Sequence, residues 1–233
     1  MSEGINRYSR QVSLEAIGEE GQQRIRNARI LIVGCGALGS MAAMELAGAG
    51  IGVIGIADFD TVDISNLQRQ FFYATENAGI LKSQLLAAKI TALNPEVTVE
   101  IYNDIITEKK ARCIFGNFDF IIDATDNPES KKMIGGICMS LGKPCSIGGV
   151  GDFHGQVMTL LPDDPRFEDY FGESGSEGFM PCSLGGVFGP AAVVCASIQA
   201  SEALKYIVNA GELLSRRLLC FNLLNNTFQK FSL

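Results

Sequence analysis

Short runs of β-branched and apolar residues alternate with longer segments of helical periodicity through the first two thirds of the chain. Such runs, bounded by Gly, Asp or Pro, are typical of buried strands, and an apolar period of 3.6 residues is typical of helices. We predict strands at 29–33, 52–57, 97–102, 119–124 and 144–147. We predict helices at 19–27, 38–47, 82–93, 107–115 and 128–141. This alternation favours a mostly parallel sheet with helices on both faces.

The pattern changes after Gly151, where strands and helices no longer alternate regularly. The elements predicted here are a strand at 156–161, a helix at 191–209 and a terminal hairpin of strands at 217–222 and 227–231. Residues 162–181 are rich in acids, Gly and Pro, and we expect a long, mobile loop because loops of this length are usually functional or mobile. The sequence therefore predicts an α/β fold with one mixed sheet, parallel in its first half and antiparallel in its C-terminal half.

Composition and charge fit a single globular domain in a reducing compartment. We expect a helical segment at 1–28, a parallel half at 29–150 and an antiparallel half at 151–233. The net charge of −7 argues against binding to nucleic acid or to an anionic membrane. The seven cysteines include no CxxC pair and no signal peptide is evident, which indicates the cytoplasm. The most apolar stretches, 40–57 and 187–200, are interrupted by polar residues and glycines, so we predict no membrane span.

A glycine-rich motif of the GxGxxG type lies between the first predicted strand and the first helix that follows it. Gly34 would permit the tight turn, Gly36 would let backbone N–H groups approach phosphate, and Gly39 would allow close helix packing. Asp58 ends the second strand, where a carboxylate can accept hydrogen bonds from ribose hydroxyls. The combination predicts a Rossmann-like nucleotide site. A glycine-rich turn without a ligand and an NAD-dependent dehydrogenase are the alternatives.

A polar segment directly after the second strand favours a triphosphate over a dinucleotide. Asn66, Arg69 and Gln70 lie within five residues of one another, and Lys82 opens the next helix. Two cations and an amide suit a triphosphate whose charge must be neutralised as pyrophosphate leaves. The alternative is a solvated polar loop. The chain contains one histidine, which argues against a Ser-His-Asp or Cys-His enzyme.

Asp126 follows the fourth predicted strand of the parallel half, at the sheet edge where such folds bind ligands. A carboxylate beside substrate phosphates is a suitable ligand for Mg²⁺. Its other possible role is to cap the helix at 128–141, because Asp and Asn both serve as N-caps. The residue alone does not decide between the two roles.

Together these motifs make the chain resemble the ThiF/MoeB/HesA family, bacterial relatives of the ubiquitin-activating enzymes. The matching segments are 7–11, 34–39, 58–60, 65–70, Lys82, 125–127 and 199–205. The resemblance implies ATP-dependent adenylation of the C-terminal glycine of a small ubiquitin-like sulfur-carrier protein that ends in Gly-Gly. Such carriers serve thiamine, molybdopterin or related sulfur chemistry. The halves 29–150 and 151–233 would then bind nucleotide and carrier, respectively.

The same resemblance implies a role for each site residue. The three motif glycines would hold the ATP phosphates and Asp58 the ribose, and Asp126 would bind Mg²⁺. The residues that would contact or support the triphosphate are Asn66, Arg69, Gln70 and Lys82. Arg10 would reach the active site of a second subunit, which implies a homodimer with two composite sites. Asp126, Arg69, Lys82 and Arg10 are therefore the expected catalytic residues.

The chain departs from its relatives in two places. Relatives often carry two CxxC zinc pairs, but residues 166–170 replace the first and the sequence ends before the second, so we expect no structural zinc. No rhodanese-like domain follows, so we expect a separate sulfur donor.

Cys182 occupies a position where thiamine-type relatives can link covalently to the carrier, and an incidental loop thiol is the equal alternative. Likewise, 148–151 could admit the narrow carrier tail or could be an ordinary strand exit.

Two further functions remain open within the resemblance. One is adenylation of a tRNA-base carboxylate, which the acidic composition disfavours. The other is a non-catalytic module that binds a ubiquitin-like protein, which the presence of Asn66, Arg69, Lys82 and Asp126 disfavours. A dehydrogenase is the least favoured reading because no catalytic acid–base residue is evident.

Overall fold

In the computed structural model, which describes residues 7–165 and 186–233, the strands form one eight-stranded mixed sheet. The strands are β1 (Arg29–Val33), β2 (Val53–Ala57), β3 (Thr98–Tyr102), β4 (Phe120–Asp123), β5 (Cys145–Gly151), β6 (His154–Leu160), β7 (Arg217–Asn222) and β8 (Thr227–Ser232). Their order across the sheet is β3-β2-β1-β4-β5-β6-β7-β8. Pairing is parallel from β3 to β5 and antiparallel from β5 to β8, which confirms the predicted mixed sheet.

Helices cover both faces of this sheet. They are α1 (Ser9–Val12), α2 (Gly18–Asn27), α3 (Ala37–Ala49), α4 (Lys82–Leu93), α5 (Glu108–Ile114), α6 (Pro128–Ser140) and α7 (Gly189–Val208). Buried side chains of α3, α4 and α7 form one core layer with the sheet, and those of α5 and α6 form the other. Most of the predicted loop at 162–181 lies outside the described residues.

Helix α7 is long and apolar enough to cross a membrane by length and composition alone. It packs instead against α3, β5 and β6, and Ala191, Ala196 and Ala203 are fully buried there. Its apolar residues therefore form part of the protein core.

The hairpin of β5 and β6 extends past the end of β4. Asp123 of β4 pairs with Ile147, whereas β5 continues to Gly151 opposite His154. The interpretation of 148–151 as a strand exit is therefore wrong, because pairing with β6 outweighs the low strand propensity of glycine. Packing favours glycine at position 148, since a Cβ there would lie 2.5 Å from the side-chain amide of the buried Gln199 in α7.

The N-terminal helices pack against the ends of α3 and α4. The buried Tyr8 ring covers Gly50, and its hydroxyl accepts a 2.7 Å hydrogen bond from Asn94 Nδ2. Gln11 donates a 3.0 Å bond to the Ala49 carbonyl. Arg10 therefore lies by the C-terminal end of α3, and the 13 residues of that helix separate the two ends by roughly 20 Å.

Substitution of Gly39 should destabilise the fold strongly. A Cβ at this position would lie 1.8 Å from the Gly34 carbonyl oxygen, where backbone meets backbone. We expect Gly39→Ala to lower the free energy of unfolding by about 3 kcal/mol or more, measured by urea denaturation. Gly48→Ala in the same helix is the control, because its Cβ would meet nothing within 4 Å. That variant should be stabilised by up to about 1 kcal/mol. Equal losses in both variants would contradict the packing argument.

Candidate nucleotide-binding site

A cavity of about 370 Å³ opens at the carboxyl ends of the parallel strands, where β1 lies between β2 and β4. Open α/β sheets bind ligands at such a switch point. Eight of the residues predicted for the site line this cavity: Gly34, Gly36, Asp58, Asn66, Arg69, Gln70, Lys82 and Asp126. Gly39 lies beneath them in the helix–strand junction, and Arg10 lies elsewhere. Cys182 lies outside the described residues.

The glycine loop is held in place from two sides. Gly34 adopts φ +98°, and a Cβ there would lie 2.7 Å from the Ala124 carbonyl oxygen, so only glycine fits. The Cys35 N–H donates to Asp58 Oδ2, and the Tyr73 hydroxyl donates to the Cys35 carbonyl at 2.8 Å. Burial raises the pKa of the Cys35 thiol well above its ordinary value, so this thiol stays protonated and serves packing.

Asp58 is buried at the end of β2 and bonds the backbone on both sides of the cavity. Its Oδ2 accepts the Cys35 N–H and its Oδ1 accepts the Asp60 N–H at 2.7 Å. Burial raises the pKa of the Asp58 carboxyl, and the two backbone hydrogen bonds oppose that rise. These two bonds fix the orientation of the Asp58 carboxylate in the cavity lining.

Lys82 is the first residue of α4 and is buried. Its Nζ lies 3.1 Å from Asp60 Oδ2, and its N–H donates to the Asp60 carbonyl at 2.9 Å. Because the Asp60 side chain is 53% exposed, solvent screens the pair and its contribution to stability is small. The pair serves mainly to orient the ammonium group at the cavity wall.

The segment from Asn66 to Gln70 begins at the last residue of a short 3₁₀ helix, Ile64–Asn66. Asp63 caps that helix by accepting the Ser65 N–H at 2.8 Å, and its hydrogen bonds from Ser65 lower the pKa of the carboxyl. Arg69 Nη1 donates to the Ser65 carbonyl at 3.3 Å. Gln70 is buried, and within the described residues its Oε1 accepts no hydrogen bond. Asn66, Arg69 and Gln70 line the cavity, and only Gln70 of the three is buried.

Asp126 and Asn127 lie at the start of α6 but have different surroundings. Asn127 is the N-cap of α6 and accepts the Ser130 N–H at 2.8 Å. Asp126 is exposed and lines the cavity, so it does not cap the helix. A free carboxylate oxygen beside a phosphate-binding loop has the donor chemistry that Mg²⁺ prefers.

A buried ion pair behind the cavity was missed by the sequence analysis. Lys131 Nζ of α6 lies 2.9 Å from Asp123 Oδ2, and both side chains are buried. Asp123 Oδ1 also accepts the Thr125 hydroxyl at 2.6 Å. A signal was present, because a carboxylate at the end of a buried strand requires a nearby cation.

Apolar side chains form one wall of the same cavity. They are contributed by the segment after β3 and by α6, and they are Ile105, Ile106, Met133 and Ile134. A flat aromatic base can pack on such a wall while its sugar and phosphates reach polar groups. The glycine loop, the fixed Asp58 carboxylate and this wall together have the features of a nucleotide-binding α/β domain.

Comparison with known proteins places the chain in a family. Residues 8–233 match the model of the ThiF family, and the chain belongs to that family. It is 35% identical to the probable adenylyltransferase/sulfurtransferase MoeZ of Mycobacterium tuberculosis, covering 99% of this chain and 60% of MoeZ. It is also 35% identical to a sulfur carrier protein adenylyltransferase of Thermus thermophilus, covering 99% of this chain and 88% of that protein.

The fold is also that of solved structures. The structure of Escherichia coli MccB with ATP superimposes with a TM-score of 0.83 at 21% identity, covering 97% of this chain and 71% of that one. An identity this low supports the fold alone. The α/β fold and the family expected from the sequence are therefore confirmed.

Replacement of Asp58 by Asn should destabilise the site. Whichever way the amide turns, its NH₂ group faces the N–H of either Cys35 or Asp60. Loss of one buried hydrogen bond costs about 1–3 kcal/mol, and we expect Asp58→Asn to lower the free energy of unfolding by that amount, measured with urea. Asp104→Asn is the control, because Asp104 lines the same cavity but only forms an exposed pair with Lys110. A variant as stable as this control would refute the assigned role of Asp58.

Proposed function

We propose that the chain is an ATP-dependent adenylyltransferase that activates the C-terminal glycine of a small ubiquitin-like sulfur carrier. The observation that carries the proposal is the convergence of the glycine loop, Asp58, the Asn66–Arg69–Lys82 set and Asp126 on one cavity. The names of the ThiF-family relatives support the same activity. The pathway is thiamine, molybdopterin or related sulfur transfer. The carrier ends in Gly-Gly, and the enzyme acts in the cytoplasm.

ATP fits the cavity in one direction. Its adenine packs on the apolar wall and its ribose hydroxyls donate hydrogen bonds to Asp58. The burial and fixed orientation of that carboxylate favour this arrangement. Its phosphates lie at the N-terminal end of α3, near Arg69 and Lys82, where backbone N–H groups and cations favour anions. The side-chain amide nitrogen of Gln70 lies beside Gly36 of the glycine loop, where its N–H groups can donate to a phosphate.

The charges of the cavity indicate that a triphosphate needs additional positive charge. The lining holds four carboxylates and two cations, namely Asp58, Asp60, Asp104 and Asp126 with Arg69 and Lys82. One cation, Lys82, is already paired with Asp60. Mg²⁺ held by Asp126 would supply part of the missing charge and would stabilise the negative charge that develops on the phosphates. The donor set fits that ion.

The proposed reaction needs little from the protein beyond alignment and charge. A carboxylate oxygen of the carrier attacks the α-phosphorus, the bond to the β-phosphate oxygen breaks, and pyrophosphate leaves with that electron pair. A terminal carboxylate is ionised at neutral pH, so no general base is required. Gly149 lines the cavity without a side chain and leaves room for a narrow Gly-Gly tail. Cys182 is not needed for this step.

Arg10 belongs to the proposal as a residue supplied by a second copy of the chain. It lies at the end of α3 that is remote from the cavity of its own chain, so it cannot serve that cavity. A homodimer that places Arg10 at the neighbouring cavity would add a positive charge where the lining is short of it.

Other functions have less support. A dehydrogenase would need an acid–base side chain at the reacting carbon. Neither a histidine nor a tyrosine is present in the described cavity lining to fill that role. Adenylation of a tRNA base would require a basic surface, whereas the chain has a net charge of −7. A non-catalytic binding module has no need for a cavity with an exposed Asp126 beside the glycine loop.

Carrier-dependent exchange of labelled pyrophosphate into ATP tests the function. We expect exchange with a carrier of the molybdopterin or thiamine type, and none when its last glycine is removed. Asp126→Asn should lower the exchange rate by about 10²- to 10³-fold. Its melting temperature should stay near that of the wild type, because Asn127 still caps α6. Glu129→Gln, an exposed carboxylate in the first turn of the same helix, should retain the rate. Full exchange by Asp126→Asn would move the catalytic centre elsewhere.

A mixing experiment tests the role of Arg10 in the second subunit. Arg10→Ala and Asp126→Ala should each be inactive alone. A mixed dimer regains one intact site, so a mixture with verified subunit exchange should recover about a quarter of the wild-type rate if the subunits pair at random. A mixture as inactive as its components would contradict action in trans.

A further inference from the structure

One buried ammonium group connects the two backbone segments that border the cavity. Lys131 of α6 is 3% exposed, and its Nζ lies 2.9 Å from Asp123 Oδ2. The same Nζ donates to the Thr125 carbonyl at 2.7 Å and to the Gly148 carbonyl at 2.6 Å. An ammonium group carries three N–H donors, and the Asp123 carboxylate and both carbonyls are acceptors for it. Lys131 is not among the described residues that line the cavity, so we assign it no direct contact with a phosphate there.

The two carbonyls belong to the peptide groups that come directly before two cavity residues. The peptide after Thr125 leads into Asp126, and the peptide after Gly148 leads into Gly149. Because a peptide group is planar, fixing its oxygen also fixes the nitrogen that follows. Asp126 and Gly149 both line the cavity, one from the end of β4 and the other from β5. Lys131 thus sets the separation of two sides of the cavity.

We propose that Lys131 is a positioning residue that fixes the backbone of Asp126 at a set distance from the backbone of Gly149. Its catalytic consequence rests on the proposed function, in which Asp126 faces the metal and Gly149 faces the carrier tail. The proposal assigns Lys131 no contact with either substrate. A displacement of about 1 Å in such an arrangement can cost about a hundredfold in rate.

The buried charge pair is better explained by positioning than by stability. Buried ion pairs contribute little net stability, because desolvation offsets their attraction. An apolar residue pair could fill the same space without this cost, but it could not donate to the Thr125 and Gly148 carbonyls. Asp123 supplies the negative charge that allows the ammonium to be buried, and it also accepts the Thr125 N–H at 3.1 Å.

Removal of Lys131 alone is a poor test, because Asp123 would be left as a buried charge. The informative comparison is the wild type with the double variant Asp123→Asn/Lys131→Met, which removes the contacts made by Lys131 and leaves neither charge of the pair buried alone. Lys131→Arg retains the charge and the donors, and we expect it to restore function in part. Lys132→Met, at the next position of α6, controls for the loss of a lysine from this helix.

Two readouts separate positioning from the proposed function. In hydrogen–deuterium exchange without ligands, amides at 124–127 and 148–151 should exchange faster in the double variant than in the wild type, while β1 stays equally protected. In the pyrophosphate exchange assay, the half-saturating Mg²⁺ concentration should rise about 10- to 100-fold, as for other groups that orient metal ligands. The KM for ATP should change less than about threefold, because the glycine loop and Arg69 are untouched.

Equal amide exchange at both segments in the wild type and the double variant would overturn the proposal, and so would an unchanged Mg²⁺ requirement in an active double variant. If the wild-type protein shows no pyrophosphate exchange at all, the proposed function fails, and the hydrogen-exchange comparison still decides whether Lys131 holds the two segments.

Discussion

No side chain fits between the start of the glycine loop and the end of β4, and most features of the site depend on this close approach. Gly34 turns with φ +98° directly against the Ala124 carbonyl. The same turn brings Gly39 of α3 onto the Gly34 carbonyl. The N-terminal end of α3 is thereby fixed at the point where β1 and β4 separate, and its partial positive charge faces the cavity. Asp58 and Tyr73 hold the intervening Cys35 and complete this junction.

The sequence was sufficient to predict the parts of the protein in which neighbouring residues share one task. The strands, the GxGxxG turn and the Asn66–Gln70 segment are local patterns, and the structure brings all but two of the described site residues to one cavity. The exceptions are Gly39, which packs beneath it, and Arg10, which is remote from it. The partners that the sequence did not predict are distant in the chain. Gln199 of α7 contacts Gly148, and Lys131 reaches the Gly148 carbonyl from α6. Such contacts depend on how the layers pack, and local periodicity carries no information about that packing.

Two lysines in and behind the cavity, Lys82 and Lys131, are each paired with a carboxylate. Lys82 is held by Asp60 and Lys131 by Asp123, so neither ammonium is placed in the protein without a compensating carboxylate. Arg69, by contrast, donates to a backbone carbonyl, and no carboxylate among the described residues forms an ion pair with it. The cavity thus combines an anion-binding backbone with modest fixed charge. This arrangement favours a ligand that brings its own counterion.

The different depths of the two lysine pairs make them respond differently to the surrounding electrolyte. At an ionic strength of about 0.15 M, exposed charges are screened over about 8 Å, whereas buried pairs are screened much less. Asp60 is half-exposed, so salt weakens its hold on Lys82, but Asp123 and Lys131 are shielded from it. Dissolved ions can therefore alter the electrostatic attraction for the nucleotide without altering the shape of the cavity.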